Sequence, residues 1–363
     1  MAENNPTLNV PSFEGPACPV PLAHQEQVVM GHGSGGRMTH DLILRVFQQY
    51  LQSPELAAGD DFAAVSLPAG SQLSGRIAIS TDSHIVSPLF FPGGDIGRLA
   101  VCGTVNDVAM SGAVPLFLTA GFILEEGLPV ETLQAILASM QEAAKEAGVL
   151  FVAGDTKVAE KGLVDGVYVN TTGFGWIPPD VEINGSQALP GDSVIISGTL
   201  GDHGMAVVSA RGDLGLESSI QSDVAPLNHL IQSILRAAPH THVLRDPTRG
   251  GLATSLNEIA RQSKVAIQLD EETIPVDPAV QAACEMLGFD PLYVANEGKL
   301  IVILPRDEAV AALEAMHAHP YGKQAVVIGT VKEGQPGRVT LRTLIGGTRI
   351  LDMLAGEMLP RIC

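Results

Sequence analysis

The sequence predicts an α/β protein of two domains, and three observations carry that expectation. Short apolar runs of strand character alternate with helix-patterned stretches along the chain past residue 28. A segment rich in turn formers, WIPPDVEINGSQALPGD, divides this alternation into two halves. With 363 residues and 45% hydrophobic content, the chain can bury a large core split between domains of roughly 150 residues each.

Residues 1–27, MAENNPTLNVPSFEGPACPVPLAHQEQ, hold many prolines and no periodicity, and are expected to be a flexible extension. Residues 28–180 form the first predicted domain. Its strands are RIAISTDSHIV (76–86), PLFLTAGFIL (115–124), VLFVAG (149–154) and GVYVNTTGFGWI (166–177), with helices at 95–111 and 129–147, the latter closed by Gly148 as a C-cap. Residues 181–345 form the second, with strand-like DSVIISG (192–198), VAIQLD (265–270), KLIVILP (299–305) and AVVIGTV (325–331). Its helices are expected from about 204 and over 250–263. Residues 346–363 are read as a mobile tail ending in Cys363.

Composition excludes several classes. Forty acidic residues against 21 basic give a formal charge of −19, which repels a phosphate backbone and argues against nucleic acid. No apolar run approaches the ~20 residues of a membrane span, and the N-terminus lacks the basic and apolar regions of a signal peptide, so a cytoplasmic protein is expected. Cys18, Cys102, Cys284 and Cys363 show no CxxC spacing, hence reduced thiols. Cys102 lies on the apolar side of a helical pattern, whereas a thiol at the chain's last residue is expected to be solvated, something the protein carries rather than packs.

Polar, glycine-containing segments between these elements carry the candidate chemistry. In GHGSGGRMTHDLI, residues Gly31, Gly33 and Gly36 formally satisfy GxGxxG, but no firm strand precedes them. A Walker A match fails because Arg37 and Met38 replace Lys and Ser/Thr. A loop closing over phosphates and a simple mobile turn both remain open. Acids at strand ends, Asp60 and Asp61 in GDDFAAVSL and Asp82 in STDSHIV, suit Mg²⁺, although single acids also serve as turn formers. Asp107, beside Asn106 near the end of a helical pattern, is placed where a carboxylate is disfavoured unless a cation compensates. DPTRGG at 246–251 is either a capped helix start or an anion site. His32, His84 and His203 accompany these motifs and are read as hydrogen-bonded structure.

Taken together, HGSGG, the GDD pair, STD, VNDVAMSGA, GDTKV, GDHG, DPTRGG, NEG and the terminal PRIC occur in an order and at spacings that resemble the HypE family of hydrogenase maturation factors, over roughly residues 28–363. The resemblance implies the two-domain fold shared with aminoimidazole ribonucleotide synthetase, selenophosphate synthetase and thiamine-monophosphate kinase. There the N-terminal domain binds ATP and Mg²⁺ and dimerises through a β-barrel. It implies ATP-dependent dehydration of an S-carbamoyl group on Cys363 to S-cyanocysteine, a source of cyanide for the iron of nickel-iron hydrogenase. HypF would be the carbamoyl donor and a HypC–HypD complex the acceptor. Carried over by motif, Gly33, Ser34, Gly35, Gly36 and Arg37 would cover the phosphates. Asp61, Asp82, Asn106, Asp107, Asp155 and Thr156 would line the nucleotide site, with Asp61, Asp82 and Asp107 on the metal. Lys157 and Glu297 would join Cys363 in catalysis. Without the resemblance, Lys157 and Glu297 read as ordinary surface residues. Two rivals are another ATP-using enzyme of the superfamily, selenophosphate synthetase-like or thiamine-monophosphate kinase-like, and a non-catalytic nucleotide-binding scaffold; the PRIC tail argues against the former.

Overall fold

Alternation of apolar side chains builds the first sheet. The computed structural model describes residues 27–28, 42–50, 76–211, 219–352 and 362–363. Within these, β1 (Arg76–His84), β4 (Val114–Glu125), β5 (Leu150–Ala159) and β6 (Val167–Ile177) form a four-stranded sheet in the order β1-β6-β4-β5, while β2 (Phe90–Phe91) and β3 (Gly94–Asp95) make a small ribbon. Leu118, Ala120, Phe122 and Leu124 of β4, at the two-residue period of a strand, turn to one face and are buried. Two helices cover that face, α1 (Ile96–Met110) and α2 (Val130–Ala147). Asp95 starts α1 by accepting from the N–H groups of Gly97 and Arg98, and α2 ends as expected at Gly148, whose φ of 74° is the left-handed cap. Because β4 and β5 pair in parallel, α2 serves as the crossover between them.

The opposite face of this sheet is open. Ile77, Ile79, Ile123 and Leu150 are exposed large hydrophobics, and among the described residues the sheet closes into no barrel.

A mixed sheet of seven strands forms the second half. Its strands are β7 (Ser193–Ile196), β8 (Val243–Arg245), β9 (Ala266–Asp270), β10 (Ile301–Leu304), β11 (Val326–Lys332), β12 (Arg338–Arg342) and β13 (Thr348–Leu351), in the order β13-β12-β9-β11-β7-β10-β8. The helices are α3 (Asp202–Ala210), α4 (Asn228–Ala237), α5 (Gly251–Gln262), α6 (Pro278–Leu287) and α7 (Ala309–His317). β7 and β10 are buried along their whole length, which is why they read as continuous apolar runs. The sequence reading names neither α4, α7 nor β8. Asn106 of α1 stitches the halves together: its amide donates to the Ala225 carbonyl at 3.0 Å and its oxygen accepts from Leu227 N–H at 2.7 Å.

Candidate active site

Strand alternation puts Ser80, Asp82 and His84 of β1 on the face covered by α1. Asp107, in the last turn of α1, accepts from Ser80 Oγ at 2.8 Å. His84 Nε2 stands 3.2 Å from Asp82 Oδ2, an ion-pair distance without an aligned hydrogen bond. Gly103 lets α1 approach this closely, since a Cβ there would meet His84 Nε2 at 3.0 Å.

The second half delivers two more acids. Asn296 ties three motifs into one wall: its amide donates to the carbonyls of Pro247 and Val294, and its oxygen accepts from Gly201 N–H at 2.8 Å. Glu297 follows, its N–H donating to Asp223 Oδ1 at 3.1 Å and its carbonyl lying 3.4 Å from Asn106 Nδ2. Gly298 is required because a Cβ would collide with the Asp223 carbonyl. Lys299 Nζ lies between Asp223 (3.1 Å) and Asp202 (3.2 Å), a buried triad that holds the NEGK and GDHG segments in register. Asp246, at the end of β8, is buried as well.

Electrostatics follow from this crowding. Burial pushes the Glu297 carboxyl well above the ordinary glutamate range, and the charges of Asp246, Asp82, Asp223 and Asp107 push it the same way. Glu297 is 4% exposed, and its Oε1 is buried without a hydrogen-bond partner. Burial, then the charge of Asp107, lifts Asp246 to about 7. Burial also raises Asp107, with Asp82 adding and Ser80 opposing. Burial works to raise Asp82 too, but His84, the Ser83 N–H and Arg249 outweigh it and hold it below the usual range. Hard oxygen donors that repel one another fit a divalent cation with phosphate oxygens. Among the described residues no three acidic, histidine or cysteine side chains converge closely enough to hold a metal alone. Asp61, the third expected metal ligand, lies outside the described residues, as do Gly33, Ser34, Gly35, Gly36 and Arg37.

Asp155 and Lys157 do not join the cluster. They lie on β5 and pair with each other at 2.9 Å, with 70% and 66% of their side chains exposed. Along the strand register Ser83 faces Asn170, Asn170 faces Gly121 and Gly121 faces Asp155, so three strand spacings, about 14 Å, separate β5 from β1. Thr156 between them is buried on the other face.

DPTRGG opens α5, with Gly250 as N-cap at φ 80° and no side-chain hydrogen bond at the cap. Cys102 is core, as expected, with burial pushing its thiol up to about 12. The chain tip corrects the expectation of a frayed, solvated end. Ile362 is 3% exposed, its carbonyl 2.9 Å from His203 Nε2, and the Cys363 carboxylate accepts from Ile85 N–H at 3.2 Å. Cys363 is half-buried and packs against a hydrophobic core to which both halves contribute.

Models of the AIR synthase-related N-terminal and C-terminal domains match residues 59–177 and 190–342. The carbamoyl dehydratase HypE of Azotobacter vinelandii is 54% identical over 336 residues, covering 93% of this chain and 97% of the relative. The chain belongs to the HypE carbamoyl dehydratase family. It is thereby an enzyme of hydrogenase maturation. Among solved HypE structures, one in complex with ATP superposes with a TM-score of 0.87 at 48% identity, covering 92% of this chain and 99% of that one. HypE in a HypE–HypF complex gives 0.75 at 52% identity, over 86% and 99%. The two-domain fold expected from the motifs is the one this family has. Asp246, Asp223, Asp202 and Lys299 were missed as site residues by motif reading, while His203 is the hydrogen-bonded structural residue that was expected. For Asp202 and Lys299 the available signal was a neighbouring glycine that the backbone needs, in GDHG and NEGK, and for Asp246 its place at the head of DPTRGG, whereas Asp223 lies outside every one of these motifs.

Proposed function

We propose that this chain dehydrates an S-carbamoyl group on its own Cys363 to S-cyanocysteine with ATP and Mg²⁺, HypF supplying the carbamoyl group and a HypC–HypD complex accepting cyanide in the cytoplasm. The observation that carries the reading is the seat of Ile362 and Cys363 beside His203 and Ile85, next to a buried carboxylate cluster in which Glu297 Oε1 has no partner.

The chemistry needs ATP because a carbamoyl oxygen leaves poorly as hydroxide. Attack of that oxygen on the γ-phosphorus releases ADP and turns the oxygen into part of a phosphate. Loss of two nitrogen protons and cleavage of the carbon–oxygen bond then give C≡N and inorganic phosphate. Glu297 is assigned as the base for those protons: burial and neighbouring acids raise its carboxyl above the ordinary glutamate range, which makes its carboxylate a stronger base. Asp82 and Asp107, with Asp61, would hold Mg²⁺, which would neutralise the phosphate oxygens. Lys157 would steady the charge developing on the phosphoryl group, while Asp155, Thr156 and Asn106 position the nucleotide and residues 33–37 cover it.

Lys157 faces away from Glu297 of its own protomer, on the open face that carries Ile77, Ile79 and Ile123. A homodimer joined through that face, with the domain of residues 28–180 completing a barrel, would cover these side chains and bring Lys157 to a second copy's cluster.

The test is mass analysis of the C-terminal peptide. Given the donor enzyme and carbamoyl phosphate it should gain a carbamoyl group, then lose the mass of one water on addition of Mg·ATP. Cys363→Ser should gain neither, serine being a far weaker nucleophile near neutral pH. A dehydrated adduct on Cys102 or Cys284 would end the reading.

A further inference from the structure

His203 occupies a position that the dehydration chemistry does not use. It sits in the first turn of α3, fully buried, with two hydrogen-bonded partners. Ser222 Oγ lies 2.8 Å from its Nδ1 and also accepts from Val224 N–H at 3.2 Å. The Ile362 carbonyl lies 2.9 Å from its Nε2. A carbonyl can only accept, so Nε2 carries the proton, and in the neutral ring Nδ1 then accepts from the Ser222 hydroxyl. Phe91 meets the ring edge-on, with centroids 5.4 Å apart, and fixes its plane. Every degree of freedom of the imidazole is thus spent on aiming one N–H at the peptide that precedes Cys363.

A second donor works from the other side. The backbone N–H of Ile85, the residue after His84, donates to the terminal carboxylate of Cys363 at 3.2 Å. Between these two hydrogen bonds the Ile362 side chain is buried in a core to which both halves contribute. Three contacts across two residues fix the position of the Cys363 Cα, and they border the carboxylate cluster, since His84 faces Asp82.

We propose that His203 is a positioning residue: its Nε2–H, together with Ile85 N–H, clamps the chain terminus so that whatever group Cys363 carries is held in register with the acid cluster. This rests on the dehydratase reading for its purpose, but the clamp itself is a statement about the tail alone. Two-point fixation matters because an S-linked group on a tail free to rotate reaches the reacting geometry only in a small share of its conformations.

The experiment measures the tail and the chemistry separately, on the full-length protein. His203→Phe keeps ring volume and the Phe91 contact but removes the donor. His203→Gln restores it, because the glutamine amide nitrogen reaches about where Nε2 stood. The first readout is the rate of iodoacetamide alkylation of Cys363, followed on the C-terminal peptide. It should rise about tenfold in His203→Phe, the scale of one lost buried hydrogen bond, and stay within about twofold of wild type in His203→Gln. The second readout is single-turnover dehydration of carbamoylated protein, which should fall about tenfold or more in His203→Phe with ATP affinity unchanged, and recover in His203→Gln. Should His203→Phe fold poorly, Ile362→Ala tests the same seat from the chain end, and it too should speed alkylation. Unchanged alkylation in His203→Phe or Ile362→Ala overturns the clamp. Faster alkylation with an unaltered dehydration rate overturns the positioning role. A wild-type protein that does not dehydrate its tail overturns the dehydratase reading instead, while alkylation still judges the clamp.

Discussion

Two pairs of charged residues in the first half, both drawn from motifs, end in opposite physical states. Asp82 on the helix-covered face of the sheet and Asp107 on the covering helix meet Asp246 and Glu297 from the second half, lose water, and shift one another's proton affinities. Asp155 and Lys157, on the uncovered face, stay solvated and neutralise each other at 2.9 Å. A motif residue therefore acquires unusual chemistry when a second element covers it, and the sheet itself is the barrier that keeps the two groups apart within one protomer.

The strongest way to break this contrast is to mix subunits. Lys157→Ala and Glu297→Gln should each cut tail dehydration by roughly 10²–10⁴. If the two residues meet only across a dimer, mixing the two dead variants rebuilds one complete site per mixed dimer and activity returns. Continued inactivity after verified exchange would place both residues in one protomer's site and remove the dimer argument. Next in size, Asp107→Asn and Asp82→Asn should weaken Mg·ATP binding by about tenfold each, read by calorimetry; tight binding in both would take them out of the metal site.

Asp246 sharpens the buried side of the contrast. Its folded-state carboxyl titrates at about 7 against an ordinary 3.8, so between those values the folded state holds a proton that the unfolded chain has released. Stability from this group is therefore present at low pH and lost as pH rises through the window. In chelator, the urea midpoint of Asp246→Asn relative to wild type should climb from pH 4 to pH 7. A gap that stays flat with pH would mean Asp246 is not desolvated. The smallest effect belongs to the exposed side: in separated protomers, at dilution below dimer formation, Asp155→Asn should change unfolding stability by no more than about 0.5 kcal/mol. A larger loss at that dilution would show that the pair is not solvated in one protomer.

Legibility in the sequence followed the range of the interaction. Gly148 could be read as the end of α2 because a left-handed cap is a local demand, and the four strands of the first sheet were visible because alternation is written within each one. β8, three residues long, escaped because so short a run has no period, and α4 and α7 escaped although both bury an apolar side.

The sequence by itself determined the α/β alternation, the acid and glycine motifs in their order and the thiol at the last residue, since each is a property of neighbouring residues. Only the tertiary structure decided which charges matter. Glu297 and Lys157 read alike as surface residues when taken locally, yet one is 4% exposed against four aspartates and the other 66% exposed beside one. The same holds for the chain end: Ile362 and Cys363 looked like a solvated tip, and it took His203, 159 positions earlier in sequence, to seat them. Burial and proton affinity depend on what the rest of the chain brings within a few ångströms, and no local pattern encodes that.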